Sequence, residues 1–408
     1  MKRLLILAIP ALIYADSLKS LLDYAVSNNN IVLSKNLTQQ SKMKDVESSM
    51  SAKYPSIDVG GYYQNLNARS ANTPGDIYSG YAKVSVDLYD GGYKNSMIEQ
   101  KKALFESSKY DTASYKKSLQ LSIVQDFYNI KNVKANIEAL DEMQNQLEAE
   151  LSRVKKFYEV GSATKDDIDK LQAAYSNNVY QIDEAKYQLL SLKKLLSLKI
   201  GKKVETIDDS KILEPVGIKQ ELSDDANVLK QNAKALAYYA NSFASSYRPK
   251  IALSDTLSVY GYGRDDMSHP KGLDNQNKLM LTFDIKLYDD GLASKQKQSV
   301  MIQKMALEKQ IDQQVKAQDI NVELALSKIK TAKAQIRSAK SSLISAKSAY
   351  ETVAKKYEVG SIDNVAYLDA LTVKTNAKAQ YETALNKLQI DYASYYYYAN
   401  KNIQEYIK

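Results

Sequence analysis

The sequence predicts a mainly α-helical protein with a β-barrel part, built as a tandem repeat, and three observations carry that prediction. First, Tyr158-Glu-Val-Gly-Ser162 recurs as Tyr357-Glu-Val-Gly-Ser361, and Leu88-Tyr-Asp-Gly-Gly92 recurs as Leu287-Tyr-Asp-Asp-Gly291, both at an offset of 199 residues. Two motifs that keep one offset have nothing inserted between them, as expected of a long regular element. Second, Gly and Pro number only 14 and 6 among 408 residues, so long uninterrupted helices follow. Third, four segments alternate apolar and polar residues with a period of two, the pattern of one-sided strands.

Taken from the N-terminus, Met1-Lys2-Arg3 and the apolar run Leu4 to Tyr14 read as a cleaved secretory signal over residues 1–15. The run is too short for a membrane helix, which needs roughly 20 residues. No later run is long enough either, so entry into a membrane requires strands. The remaining chain divides into a first repeat, 16–207, and a second, 208–408. Strands are expected within 56–89 and 250–288, and long helices within 92–200 and 291–407.

The strand Leu279 to Leu287 is apolar at every odd position, and Ala82 to Leu88 alternates likewise. Ile57 to Leu66 and Ile251 to Gly263 alternate less cleanly, with many Tyr, Gly and Ser residues. Strands of about 9 to 11 residues suit a tilted barrel in a bilayer. Four strands cannot close, and an open sheet in lipid leaves backbone groups unsatisfied at several kcal/mol each, so oligomerisation is required. Two, three or four chains give 8, 12 or 16 strands. The loops Asn67 to Asp76 and Arg264 to Lys278 are the expected tips, with the single His, His269, as a solvated loop residue.

The helix from about Gly92 to Tyr158 carries apolar residues in steps of three and four, from Ile123 and Phe127 through Leu140, Leu147 and Leu151 to Val154. This is a coiled-coil seam. The offset maps it onto Val322, Leu326, Ile329, Ile336, Tyr350, Val353 and Tyr357, with Ala339 and Ala346 in place of larger residues. Such a helix spans roughly 100 Å. The return helices are Ala163 to Ile200 and Asp363 to about Ile407, and the Tyr395 to Tyr398 run reads as helix packing.

Composition argues against catalysis. There is no Cys and one His, hence no thiolate nucleophile, little room for a histidine triad or zinc site, and no cofactor site. A net charge of +8 spread along helices suits a solvated basic surface rather than nucleic-acid binding. The Gly261 and Gly263 pair lies in a tyrosine-rich strand and reads as barrel packing.

Taken together, the residues resemble the TolC-like outer-membrane channel family of bacterial efflux pumps and type I secretion systems. The resemblance rests on Ser17-Leu-Lys-Ser-Leu-Leu-Asp-Tyr-Ala25, on Tyr54-Pro55 and Arg248-Pro249 before the strand pairs, and on the Leu-Tyr-Asp exits. It rests also on the two Tyr-Glu-Val-Gly breaks, the second leading to Tyr367-Leu-Asp-Ala370. It implies a homotrimer with a 12-stranded barrel in outer-membrane lipid and a helical tunnel through the periplasm. Its implied partners are a membrane-fusion adaptor and an inner-membrane transporter. It further implies that Val160, Gly161, Ser162 and Val359, Gly360, Ser361 form the tips that meet the adaptor. The family's closed gate maps onto Asp167, Tyr357 and Asp369, with Asp363 as a substitute carboxylate. Two departures stand out: Ala366 replaces one gate aspartate, and Ile362 stands where the family has its gate arginine. The competing readings are a soluble periplasmic coiled-coil spacer or adhesin, and the adaptor itself.

Overall fold

The computed structural model describes residues 17–67, 75–263 and 273–408. The expected signal segment, His269 and most of both strand-connecting loops lie outside the described residues. The chain forms two compact units, each assembled from both repeats: one comprises residues up to 34 with 113–224 and 315–408, the other 35–112 with 225–314.

In chain order the helices are α1 (Leu18–Asn28), α2 (Asn30–Ser51), α3 (Tyr93–Glu159), α4 (Lys165–Ile200), α5 (Asp224–Phe243), α6 (Leu292–Glu358) and α7 (Asn364–Tyr398). The strands are β1 (Ser56–Asn65), β2 (Asp76–Tyr89), β3 (Lys250–Tyr262) and β4 (Asn275–Asp284). Helices α3 and α6 both have 67 residues and start and stop at equivalent positions, so the constant offset is a constant helix length. Each extends about 100 Å at 1.5 Å per residue. Among the described residues no helix is long and apolar enough to cross a membrane.

The strands form one antiparallel sheet in the order β1-β2-β3-β4. Its register puts Ile57, Val59, Ala82, Val84, Leu257, Leu279, Leu281 and Phe283 on one face and Asp58, Lys83, Thr256, Lys278 and Asp284 on the other. Most of the apolar set is exposed; Leu279, Leu281 and Phe283 keep more than 60% of their surface. A sheet packed on a soluble core would hide that face. The expected strand to Leu287 stops at Asp284, because its neighbour β3 begins at Lys250, opposite Asp284. The preceding residue, Pro249, has no N–H to extend the ladder.

In the other unit, the core gathers Leu18, Leu21 and Leu22 of α1 with Ile123, Phe127, Tyr128 and Ile130 of α3, Leu196 and Ile200 of α4, and Tyr392 and Tyr396 of α7. The tyrosine run works chiefly through its hydroxyls. Tyr395 donates to the Ile218 carbonyl at 3.1 Å, Tyr396 to Leu213 at 3.1 Å and Tyr128 to Ser210 at 2.9 Å, pinning the segment that joins the two repeats. An aromatic with a polar tip can bury its ring and still satisfy irregular backbone, which a Phe could not.

Two expectations are corrected here. The last helix ends at Tyr398 rather than near Ile407: Asn400 takes a left-handed φ of 61°, and the chain beyond runs alongside Lys211 to Leu213, with Lys408 N donating to Lys211 O at 2.9 Å. The α6 seam holds at Ile329, Ala339 and Ala346 but departs from the expectation at Leu326. Leu326, equivalent to the fully buried Phe127, is 46% exposed, while Ala325, Ile329, Ala332, Ala339 and Ala346 are buried in steps of three, four and seven. Small residues let this helix turn its larger side chains outward.

Candidate gate at the helix-hairpin tips

Each long helix stops by the same local chemistry. Gly161 N donates to Tyr158 O at 3.0 Å and Ser162 N to Phe157 O at 2.7 Å; in the second repeat Gly360 N donates to Tyr357 O at 3.0 Å and Ser361 N to Lys356 O at 2.8 Å. These are Schellman turns, with the glycines at φ 76° and 72°. Nothing surrounds either glycine where a Cβ would go, so backbone conformation alone selects glycine. Val160 and Val359 project from the turns and are more than 70% exposed.

The two return helices begin at equivalent positions with different caps. Thr164 accepts from Asp167 N at 3.2 Å, and Asp167 Oδ2 accepts from Thr164 N at 3.0 Å and from its hydroxyl at 2.6 Å, a complete capping box. Those bonds hold the Asp167 carboxyl below the usual carboxylate range. In the second repeat Asp363 is itself the cap, accepting from Ala366 N at 2.9 Å. With an acid at the cap, Ala366 can replace the carboxylate three residues on. Asp369 is exposed, one turn further along α7.

Tyr357 lies elsewhere from these caps in its contacts. Its ring stacks on Tyr367, with centroids 4.9 Å apart, and Arg153 of α3 places its guanidinium 5.0 Å from the Tyr357 centroid and 5.5 Å from Phe157. Arg153 is anchored by a two-nitrogen fork on Glu150, at 2.8 to 3.1 Å, and Glu150 is buried. Hydrogen bonding to Glu150 raises the Arg153 pKa further, and burial beside Glu150 pushes the Tyr357 phenol up to about 12. Beneath the pair lie Leu147, Leu151, Val154, Leu171 and Leu371. The two repeats are joined once more where Asn364, itself buried, donates to the Asp167 carbonyl at 3.3 Å.

Thus Asp167 and Asp363 belong to helix starts, and Tyr357 to an Arg153–Glu150 cluster that sequence reasoning missed. The available signal was Glu150 and Arg153 three residues apart on α3, an intrahelical spacing that occurs on any solvated helix. Only the fold shows that this pair lies against the tyrosine of the other repeat.

Residues 21–201 match the family described as outer membrane efflux protein. No curated protein sequence matches the chain. Solved structures share its fold over almost its whole length. The CmeC outer membrane channel of Campylobacter jejuni has a TM-score of 0.80 at 17% identity, covering 94% of this chain and 85% of that one. The outer membrane protein VceC of Vibrio cholerae gives 0.80 at 11% identity, covering 95% and 96%. The open state of the Neisseria gonorrhoeae MtrE outer membrane channel gives 0.78 at 14%, covering 95% and 89%. The resemblance drawn from the repeated motifs holds in the family match and in the fold.

Proposed function

We propose that this TolC-like outer-membrane channel protein, whose helices extend into the periplasm, works as a homotrimer that conducts substrates outward for a tripartite efflux pump or a type I secretion system. The observation that carries the reading is the open four-stranded sheet with its apolar face exposed, on a chain that also holds two 67-residue helices. Such a face is stable in lipid, and three chains supply the 12 strands that satisfy its edges. A soluble spacer or adhesin has no use for it.

In this reading the tips around Val160–Ser162 and Val359–Ser361 receive the adaptor, whose binding shifts the hairpins between two packings. Arg153 stands in for the arginine that Ile362 lacks. It holds Tyr357 from the α3 side through a cation–π contact and a buried carboxylate. Asp167 and Asp363 keep the return helices in register with the turns, and Asp369 faces solvent, where it adds negative charge to the closed end. The transporter supplies the energy and selects the cargo.

The test is reconstitution of the purified protein in planar bilayers. Wild type conducts poorly and Arg153→Ala with Tyr357→Phe conducts more. Absence of any channel activity from detergent-stable oligomers would remove the duct reading, and equal conductance of wild type and double variant would remove the gate assignment.

A further inference from the structure

The duplication fixes more than the number of strands, because the two hairpins of the sheet are equivalent in register. Ile57 lies opposite Val84 in the first hairpin and Ile251 opposite Phe283 in the second. The Pro-x-Ile sequences Pro55-Ser-Ile57 and Pro249-Lys-Ile251 make β1 and β3 equivalent at an offset of 194, and the Leu-Tyr-Asp exits make β2 and β4 equivalent at 199. Those two offsets carry the first pair onto the second without adjustment. The ladders also end at equivalent pairs, Ser56 with Ser85 and Lys250 with Asp284.

One junction has an observed copy and a missing one. In β2, Val86, Asp87 and Tyr89 run past the end of β1 and are held by β3, opposite Leu253, Ala252 and Ile251, with a bulge between Asp87 and Tyr89. Their equivalents Ile285, Lys286 and Tyr288 run past the end of β3 in the same way, yet form no ladder and are exposed. The sequence alternation continues through them. What they lack is the neighbour that β3 provides to β2.

Resting on the trimeric reading above, we infer the register in which β4 meets β1 of a second copy of this chain: Thr282 opposite Tyr62, Phe283 opposite Gly61, Ile285 opposite Val59 and Lys286 opposite Asp58 of the partner subunit. Closure as such is already required by four strands; the register follows from carrying the β2–β3 pairing through the two offsets. Two properties of the result were not used to obtain it. The apolar residues of β4 fall on the same face as Ile57 and Val59, so the lipid-facing surface continues across the junction with no slip of one residue. On the other face an ammonium meets a carboxylate. Asp58 already lies opposite Lys83 within its own chain, so it comes to sit between Lys83 and the incoming Lys286, with opposite charges directly across both ladders.

The protein has no cysteine, so cysteine pairs report the register without background. Full-length Thr282→Cys/Tyr62→Cys and Lys286→Cys/Asp58→Cys are expressed in an outer membrane, oxidised, and run on denaturing gels with and without reductant. Both pairs give reducible intersubunit bonds, whereas the displaced pairs Thr282→Cys/Gln64→Cys and Lys286→Cys/Tyr62→Cys give several-fold less, since their α-carbons lie beyond disulfide reach. Asp58→Lys lowers the temperature at which oligomers dissociate, and adding Lys286→Glu restores part of it. Trimers that cross-link better through the displaced pairs, or charge reversals that only add, overturn the register and leave the trimeric duct standing. A chain that stays monomeric in the membrane overturns both.

Discussion

Lys117 donates to both oxygens of Asn400, the backbone carbonyl at 3.0 Å and the side-chain amide at 2.9 Å, and lies 2.7 Å from Asp224. One ammonium therefore joins α3 to the end of α7 and the start of α5. Asn400 completes the link through its amide nitrogen, which donates to Leu222 O at 2.7 Å. Its left-handed backbone suits asparagine, one of the few non-glycine residues enriched at positive φ.

From this arrangement Lys117→Met is expected to cost about 3 kcal/mol, because it leaves the buried Asp224 carboxylate without its cation. Asn400→Gly keeps the φ and loses the side-chain bonds, so it costs less. Thermal or urea unfolding of the detergent-solubilised protein measures both. A Lys117→Met variant as stable as wild type would show that solvent replaces the ammonium.

The Lys117 link was hidden in the sequence, where Lys117, Asp224 and Asn400 stand far apart and belong to no repeated motif. What could be read was whatever periodicity or duplication enforces: both 67-residue helices, both glycine turns, the strand alternation and hence the apolar face of the sheet. The unread part depends on side chains meeting across elements. Asp167, mapped by resemblance, and Asp363, offered as a substitute carboxylate, stand in the first turn of α4 and at the cap of α7, and that local chemistry was legible in Thr164 and in the acid at position 363. Arg153 acts across repeats and was not. The end of α7 at Tyr398 was also missed, because helical tyrosines and alanines continue to Ala399 and only the αL conformation of Asn400 stops them.

The Arg153–Tyr357 contact makes a prediction that separates charge from shape. Arg153→Lys retains the charge but loses the planar fork on Glu150, so it behaves more like Arg153→Ala than like wild type in single-channel conductance. The contact itself contributes on the order of 1 kcal/mol, enough to change the open fraction several-fold. Because the Tyr357 phenol is held up near 12 and the Arg153 pKa is raised, neither group changes charge between pH 6 and 9. Conductance through the proposed gate is accordingly expected to be flat over that range; a steep change there would assign gating to other groups.

The tip glycines should respond to backbone preference and little else. Gly161→Ala and Gly360→Ala each force an L side chain into a left-handed conformation, at about 1 to 2 kcal/mol. Open space around both positions means that Asn, which tolerates this conformation, recovers most of the loss. Limited proteolysis at the turns of Ala and Asn variants is the measurement, with faster cleavage expected for Ala. Equal cleavage of the Ala variants and wild type would mean that the turns are not set by φ.

Asp391 presents the opposite problem, a buried carboxyl with one oxygen left without a hydrogen bond. It is buried on α7, and its Oδ2 has no hydrogen-bond partner. Burial raises its pKa above the ordinary 3.8, against the pull of Lys387 and Lys328. A carboxyl whose folded pKa is raised adds no penalty below 3.8, where it is protonated folded or unfolded. As pH climbs above 3.8 the unfolded chain ionises more readily, and stability falls until the folded pKa is passed, beyond which the loss is constant. Asp391→Asn removes that ionisation while keeping the shape. The variant is therefore expected to be more stable than wild type at pH 7, on the order of 1 kcal/mol, and to lose its advantage near pH 3. Melting curves of the two proteins at both pH values decide it: an advantage at pH 3 as large as at pH 7 would place the effect in packing, and a less stable variant at pH 7 would show that the charge is stabilised by its lysines after all.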